Sequence, residues 1–340
     1  MERAIGFSEG TERAKGARSV GAAFRFLHEG SSWLTWTGVL MLVDIVVSLV
    51  GLAVDPAMIT GAPAWMKPLK FAISTGLFSF TVAFMMGQLS RMRRFGTILG
   101  RWMAAALTVE IVSIDMQAAR HTASHFNYAT PFDAAVFSVM GIGIVVVLLC
   151  TALLLVSAFR ERFSDRALGW AIRLSLTLAL LGMGVGSMMT LPTPEQLAAQ
   201  RGQNGHMAHM GAHTVGALDG GPGMPVTGWS ADHGDLRIAH FIGLHGMQVL
   251  LLAWWLALRS WKWSESARLR PVFAAGLSIA AVFSVVLWQA LRGLPLLRPD
   301  APVGAGYAGW AVATLLLGLW AVYSSGTGSS KFIKHEGKSL

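Results

Sequence analysis

Eight apolar stretches, each close to the length of a membrane-spanning helix, run along this chain near Leu34–Val54, Leu69–Leu89, Trp102–Ala119, Ala134–Phe159, Leu168–Leu191, Ile238–Leu258, Val272–Leu291 and Tyr307–Tyr323. A bilayer core of about 30 Å is crossed by about 20 residues of helix, and inside it every backbone N–H and C=O must be satisfied within the protein. Those two facts predict an all-α polytopic membrane protein of about eight spans, with the lipid bilayer as its first partner. Composition agrees: 54% of the 340 residues are hydrophobic, 13% are charged and the mean hydropathy is +0.53, too apolar for a soluble domain of this size.

Residues 1–33 are expected to form a cytoplasmic N-terminal segment, 34–323 the membrane domain and 324–340 a cytoplasmic tail. Met1–Phe26 is rich in Gly, Ala, Arg and Glu. It lacks the apolar centre of a cleavable signal, which leaves insertion to the first span. Residues 192–235, with DGGPGMP among them, are expected as a long outer loop inserted between spans five and six.

The net charge of +9 follows topology. With the N-terminus inside, Arg91, Arg93, Arg94, Arg101, Arg160, Arg162, Arg166, Arg259, Lys262, Arg268, Arg270, Lys331, Lys334 and Lys338 all fall on the cytoplasmic side, as the positive-inside bias requires. The expected location is a bacterial-type inner membrane with both termini cytoplasmic, and positive charge confined to short loops excludes a nucleic-acid face. His121, His125, His206, His209, His213, His233, His240 and His245 then lie on the outer side; only His28 and His335 do not. The single Cys150 lies in span four, which excludes a disulfide framework or a cysteine-based metal centre within one chain.

Spans two to four overlay spans six to eight at an offset of 172 residues (289 minus 117), where Gln117-Ala-Ala-Arg120 meets Gln289-Ala-Leu-Arg292. Two parallel four-helix halves are the expected arrangement.

Span three reads TVEIVSIDMQAARHTASHFN from Thr108 to Asn127. At about 100° per residue, Glu110, Gln117 and His121 fall within about 40° of one another, flanked by Ser113, Ser124 and His125, while Asp115 points about 140° from Glu110. On span six, Arg237, His240, His245 and Gln248 cover an arc of roughly 140°. A rise of about 1.5 Å per residue sets His240 level with the His121 region and His245 between Glu110 and Gln117. An outward-facing His/carboxylate site between spans three and six is therefore expected. Asp44, midway along span one, is a further intramembrane carboxylate, and such residues mark sites or pathways.

Glu110, His245, Gln248 and Asp44 are the catalytic candidates. His121 with His240, and His125 or His245 in their place, are candidate ligands for haem b or for a histidine-bound copper, iron or zinc ion in a redox protein. Lys67, Lys70, Arg120 and Arg237 are the cations suited to haem propionates or an anionic substrate. The tract GHMAHMGAH, with His206, His209 and His213 interleaved with Met207 and Met210, is either a copper-type cluster or a flexible loop. No CxxCH motif exists for covalent haem. The span number and outward histidines resemble the layout of haem A synthase, but here the histidines gather on spans three and six instead of on corresponding helices of each half, so the chain is not assigned to that family. Membrane desaturases are excluded by the missing HxxHH pattern and by sidedness.

Two other functions compete: a proton-coupled carrier with Asp44, Glu110 and His245 as a midplane relay, and a non-catalytic membrane sensor or assembly factor. A quinone or another small molecule is the partner considered beside the bilayer, while nothing in the chain names a substrate: there is no Walker loop, no dinucleotide-binding glycine motif and no nucleophile–base pattern. If the polar stripes of spans three and six meet, cysteines at Gln117 and Leu244 in a Cys150→Ser background crosslink readily. Failure of that pair, with pairs on other faces succeeding, removes the shared pocket.

Overall fold

The computed structural model describes residues 20–91, 93–202, 208–259 and 263–326. His206, Met207, Lys262, Lys331, Lys334, His335 and Lys338 lie outside the described residues, as do residues 1–19 and 327–340. A short helix, α1 (Val20–Gly30), leads into α2 (Ser32–Val54), α3 (Met66–Gly87), α4 (Arg93–Ala119), α5 (Pro131–Arg160) and α6 (Arg166–Met189). After the short α7 (Pro194–Gly202) come α8 (Leu236–Arg259), α9 (Glu265–Leu291) and α10 (Ala301–Gly326). Among the described residues, all but α1 and α7 are long and apolar enough to cross a membrane, which makes eight candidate spans. The protein is an all-α, multi-pass membrane protein.

Helix ends differ from the apolar stretches where capping, not hydropathy, decides them. Thr130 caps α5, its Oγ1 accepting from Asp133 N at 3.1 Å, with Pro131 at the first helical position. Ser264 caps α9 through Ala267 N at 3.2 Å. Helix α7 lies within the expected outer loop because Thr193 and Gln196 form a reciprocal capping box: Thr193 N donates to Gln196 Oε1 at 2.9 Å and Gln196 N to Thr193 Oγ1 at 3.3 Å. Such a T-x-x-Q start, with Pro194 following the cap, outweighs the Gly/Pro-rich sequence downstream.

The chain divides into two compact units. The first holds the described residues up to Ser164 with Ser187–His213 and Leu218–Gly228; the second holds Asp165–Gly186, Thr214–Ala217 and the chain from Trp229 onward. In the first unit α2 packs along α3, α4 lies against α2, α3 and α5, and α1 rests on α2 and α3. Small residues set those crossings. A Cβ at Gly30 would fall 2.1 Å from Ala83 O, and one at Gly51 only 2.3 Å from the Trp65 ring. Between α2 and α3, β1 (Met58–Ile59) pairs with β2 (Ala62–Pro63) across a Thr60-Gly61 turn. Both turn residues are left-handed, at φ 47° and 78°, as a two-residue hairpin turn requires.

In the second unit α9 packs on α8 and on α10. Ala167, Ala171, Leu178, Leu250 and Val272 form its core, and α6 meets α8 where Gly243 lies so close that a Cβ there would sit 2.6 Å from Gly182 Cα. Here β3 (Thr214–Val215) pairs antiparallel with β4 (Gly234–Asp235).

The two units repeat one plan. Adding 172 to the bounds of α4 (93 and 119) gives those of α9 (265 and 291), and adding it to β2 (62 and 63) gives β4 (234 and 235). The end of α3 at 87 likewise falls on the end of α8 at 259. Both α4 and α9 end in a Schellman turn. Thr122 N and His121 N donate to Gln117 O and Ala118 O at 3.0 and 2.9 Å, while Leu294 N and Gly293 N donate to Gln289 O and Ala290 O at 3.2 and 2.9 Å. The reversing residue is left-handed in each, His121 at φ 55° and Gly293 at φ 72°. Arg120 then pairs with Asp133 at 2.8 Å near the start of α5, and Arg292 with Asp300 at 2.6 Å before α10. Each unit is thus helix, strand pair, helix, helix, Arg–Asp turn, helix.

The glycine crossing gives a direct check on the packing. Gly30→Ala is expected to cost about 1–3 kcal/mol by overpacking and to lower the melting temperature of the purified protein, whereas Gly304→Ala, with open space around it, leaves it unchanged or slightly raised.

Candidate functional site

The site begins with a polar knot at the end of α4. Gln117 is fully buried; its Nε2 donates to Asp133 Oδ1 at 2.9 Å, Arg120 Nη1 donates to the same oxygen at 2.8 Å and to Gln117 Oε1, and Thr130 Oγ1 donates to Asp133 Oδ2 at 2.6 Å. The knot joins α4 to α5 and so closes both ends of the loop 120–130. Arg120, expected to hold an anionic ligand, is engaged here.

Beyond Arg120 the left-handed His121 turns the chain, and its ring goes to the hairpin. His121 Nε2 lies 3.0 Å from Asp55 Oδ2, an oxygen that also accepts from Trp65 Nε1 at 2.9 Å, while Asp55 Oδ1 accepts from Ala57 N at 3.0 Å. The Ala57 and Trp65 N–H groups, then His121, hold the Asp55 carboxyl below the usual carboxylate range. Asp55 carries no signal in the sequence as a site residue; Trp65, just before α3, both packs on Gly51 and fixes Asp55.

The loop then folds back on the helix. Asn127, buried, donates through Nδ2 to Thr122 Oγ1 and Ala123 O at 3.2 and 3.0 Å and accepts from Ala129 N at 3.0 Å. Phe126 adopts φ 61°; two left-handed non-glycine residues in one short loop are costly and persist where the surroundings over-determine them. Held this way, His125 reaches Glu110, although α4 runs on from Glu110 to Ala119, about 13 Å at 1.5 Å per residue. Nε2 of His125 stands 3.3 Å from Glu110 Oε1, and Ser124 Oγ is 3.1 Å from Nδ1. Glu110 is 3% exposed and neither of its oxygens has an aligned hydrogen bond. A buried carboxyl without hydrogen bonds is expensive.

Around the pair, Phe71 and Phe137 stand 5.6 and 6.0 Å from the His125 ring, and the Lys67 ammonium lies 5.8 Å from the Phe71 centroid with its charge acting on both Glu110 and His125. Lys70 is turned elsewhere and donates to Thr227 O at 2.9 Å. Residues of the long loop cover the other side: Tyr128 N donates to Ala208 O at 2.8 Å and Met210 N to Phe126 O at 3.0 Å. His213 stacks edge-on to Phe126 with centroids 4.8 Å apart, and its Nδ1 is 2.7 Å from Asp219 Oδ2. Gly211, at φ 106°, gives Phe126 its space, for a Cβ there would lie 2.7 Å from the ring. Of the expected histidine tract, His213 therefore joins the surroundings of the site, and His209 joins through its backbone bridge to Asn127.

Asp44 does not belong to this cluster. It reaches Asp115, on another face of α4 from Glu110.

In the second unit, span six presents its stripe to its own neighbours. His240 Nδ1 lies 2.7 Å from Gly182 O of α6, with Gly186 against its ring. His245 stacks on Phe241 with centroids 4.3 Å apart and hydrogen-bonds Gln248. Arg237 is locked to Asp235, which is 1% exposed, accepts from Arg237 Nε at 2.9 Å and from Ser230 N at 2.7 Å, and caps α8 by accepting from Arg237 N at 3.0 Å.

Among the described residues no three His, Cys, Asp or Glu side chains converge as a metal-binding group. Comparisons with protein-family models, with curated proteins and with solved structures give no significant match. What the arrangement offers chemically is a carboxyl and an imidazole in contact, in an apolar surround, beneath a pinned loop.

Burial, with the charges of Lys67 and His213, holds the His125 imidazole well below its ordinary value of 6.5. The folded protein thus refuses a proton that the unfolded chain accepts, so stability is full above about pH 6.5 and falls as the pH drops below it. Thermal unfolding scanned against pH is expected to show this acid-side loss in the wild type and a smaller one in His125→Gln.

Proposed function

We propose that the chain is a proton-coupled membrane carrier in which Glu110 and His125 exchange a proton between the spans and the loop side of the first unit. The observation that supports this is the buried Glu110 carboxyl, without aligned hydrogen bonds yet 3.3 Å from His125 Nε2. A neutral imidazole has a lone pair on one ring nitrogen and an N–H on the other, so it can relay a proton by taking one at the first as it releases one from the second, without resting in the charged form. Lys67 supplies the charge that compensates an ionised Glu110. Asp44 and His245, the other expected members of a midplane relay, have partners of their own in Asp115 and Gln248, which narrows the exchange site to Glu110 and His125. In this proposal the chain lies in the cytoplasmic membrane with both termini and the arginine-rich loops inside, and a small molecule or quinone enters from the outer side.

One observation favours the redox alternative, in which haem b or a metal ion is bound. His240 Nδ1 donates to Gly182 O, so the neutral ring carries its lone pair on Nε2, the orientation in which a histidine ligates. Against it, His121 is turned to Asp55, and Lys70, Arg120 and Arg237 are already held by protein oxygens. Absorption spectra of the purified protein, oxidised and reduced, with elemental analysis, decide that alternative.

Proton flux into proteoliposomes under an imposed gradient tests the carrier. Loss of a general acid–base group costs about 10²-fold or more, so Glu110→Gln is expected to lower flux by at least about tenfold, with His125→Gln also reduced and His335→Ala unchanged. Equal flux in Glu110→Gln and wild type contradicts the proposal.

A further inference from the structure

A second pair of acids lies in the first unit, away from the exchange site. Asp44 on α2 and Asp115 on α4 bring their carboxyl groups within hydrogen-bonding reach of each other. Asp44 is 7% exposed, and Asp44 Oδ2 and Asp115 Oδ1 are buried without a hydrogen-bond partner. Met41, Ala72 and Ile111, with Ile45 and Phe71 packed on them, form the apolar core of α2, α3 and α4. Among the described residues, burial and the other acid are what act on each carboxyl; Glu110 and Asp115, five positions apart, project about 140° from one another on α4.

An ionised carboxylate only accepts hydrogen bonds, so two carboxylates in contact cannot bond to one another without a positive charge between them. Two like charges packed together in low dielectric repel strongly. A further oxygen points to the same place. Ser48 is fully buried, its Oγ has no hydrogen bond, and it sits one turn beyond Asp44 on the same face of α2. Because each Cα–Cβ bond leans toward the helix N-terminus, the Ser48 side chain starts out toward the turn that carries Asp44. Buried hydroxyl and carboxyl oxygens without hydrogen-bond partners, and with no cation among the described residues acting on the two acids, are the oxygen donors that hard cations take.

We propose that Asp44 and Asp115, with Ser48 beside them, form a cation site that holds one positive charge, a proton or Na⁺, between α2 and α4. The site is independent of Glu110 and His125. Occupied, it draws the two helices together; emptied, it leaves two negative charges facing each other in the spans.

Infrared spectra of the full chain in lipid read protonated carboxyl groups by their C=O stretch. The titration runs from about pH 5 to about pH 10, in potassium and in sodium buffers. Labelling aspartate with ¹³C shifts the expected band and labelling glutamate does not, which separates this pair from Glu110 without any substitution. In potassium, an aspartate band present near neutral pH and titrating away as the pH rises is expected; Asp44→Asn and Asp115→Asn each lose it near neutral pH, since the new amide donates in place of the proton, while Glu110→Gln keeps it. Disappearance of the wild-type band on adding Na⁺ at fixed pH identifies Na⁺ as the occupant, and indifference to Na⁺ identifies the proton. No aspartate band at any pH in potassium, or a band that survives both Asn substitutions, overturns the proposal. Failure of Glu110→Gln to alter proton flux leaves these spectra unaffected, so the two proposals fail separately.

Discussion

The first unit depends on how α4 hands the chain to α5. A polar side chain inside hydrocarbon must be satisfied by another part of the protein, and Gln117, Arg120 and Asp133 satisfy one another across that junction. Their network fixes both ends of a loop whose sequence would otherwise favour mobility. With the ends fixed, the left-handed His121 and Phe126 become tolerable, and the loop folds back far enough for His125 to meet Glu110. Remove the knot and the Glu110–His125 contact loses its positioning, although neither residue takes part in the knot.

The repeated plan of the two units separates scaffold from chemistry. Gln117 and Arg120 recur as Gln289 and Arg292, with the same turn and the same kind of Arg–Asp pair. Gln289 again ties the turn to the next helix, accepting from Tyr307 Oη at 2.6 Å and donating to Pro295 O at 2.6 Å. At the same 172-residue offset, however, Glu110, Asp115 and His125 become Val282, Leu287 and Leu297, and His121 becomes Gly293. The second unit thus uses the residue best suited to a left-handed turn, where the first uses a histidine fastened to Asp55. The membrane carboxyls belong to the first unit, and this asymmetry is what assigns the proposed proton chemistry to it.

Much of this was legible in the sequence. The apolar stretches gave the spans because length and hydropathy alone determine what crosses a bilayer, and the Gln-Ala-x-Arg match marked the repeat at its true offset. Glu110 and His125 were both among the candidate residues, but the helical wheel treated His125 as a flank of span three, whereas it lies in a loop beyond the helix end. A wheel cannot foresee a left-handed reversal at a histidine. The same limit misplaced emphasis on His121 and Arg120, whose side chains reach Asp55 and Asp133 through turns that period-3.6 reasoning does not describe. The T-x-x-Q box of α7 lies in a stretch whose composition points to a loop, and the T-P-x-D start of α5 precedes the apolar run that marks span four, so hydropathy and composition reach neither cap.

The claim at the centre of this account is that Glu110 and His125 act as one unit. A double-mutant cycle over Glu110→Gln and His125→Gln, read as thermal unfolding of the full chain in lipid nanodiscs near neutral pH, measures that directly. Residues in one buried contact show coupling of about 0.5–3 kcal/mol, while independent sites add to within about 0.5 kcal/mol. Coupling inside the first range is the predicted result; strict additivity of the two substitutions would contradict the account.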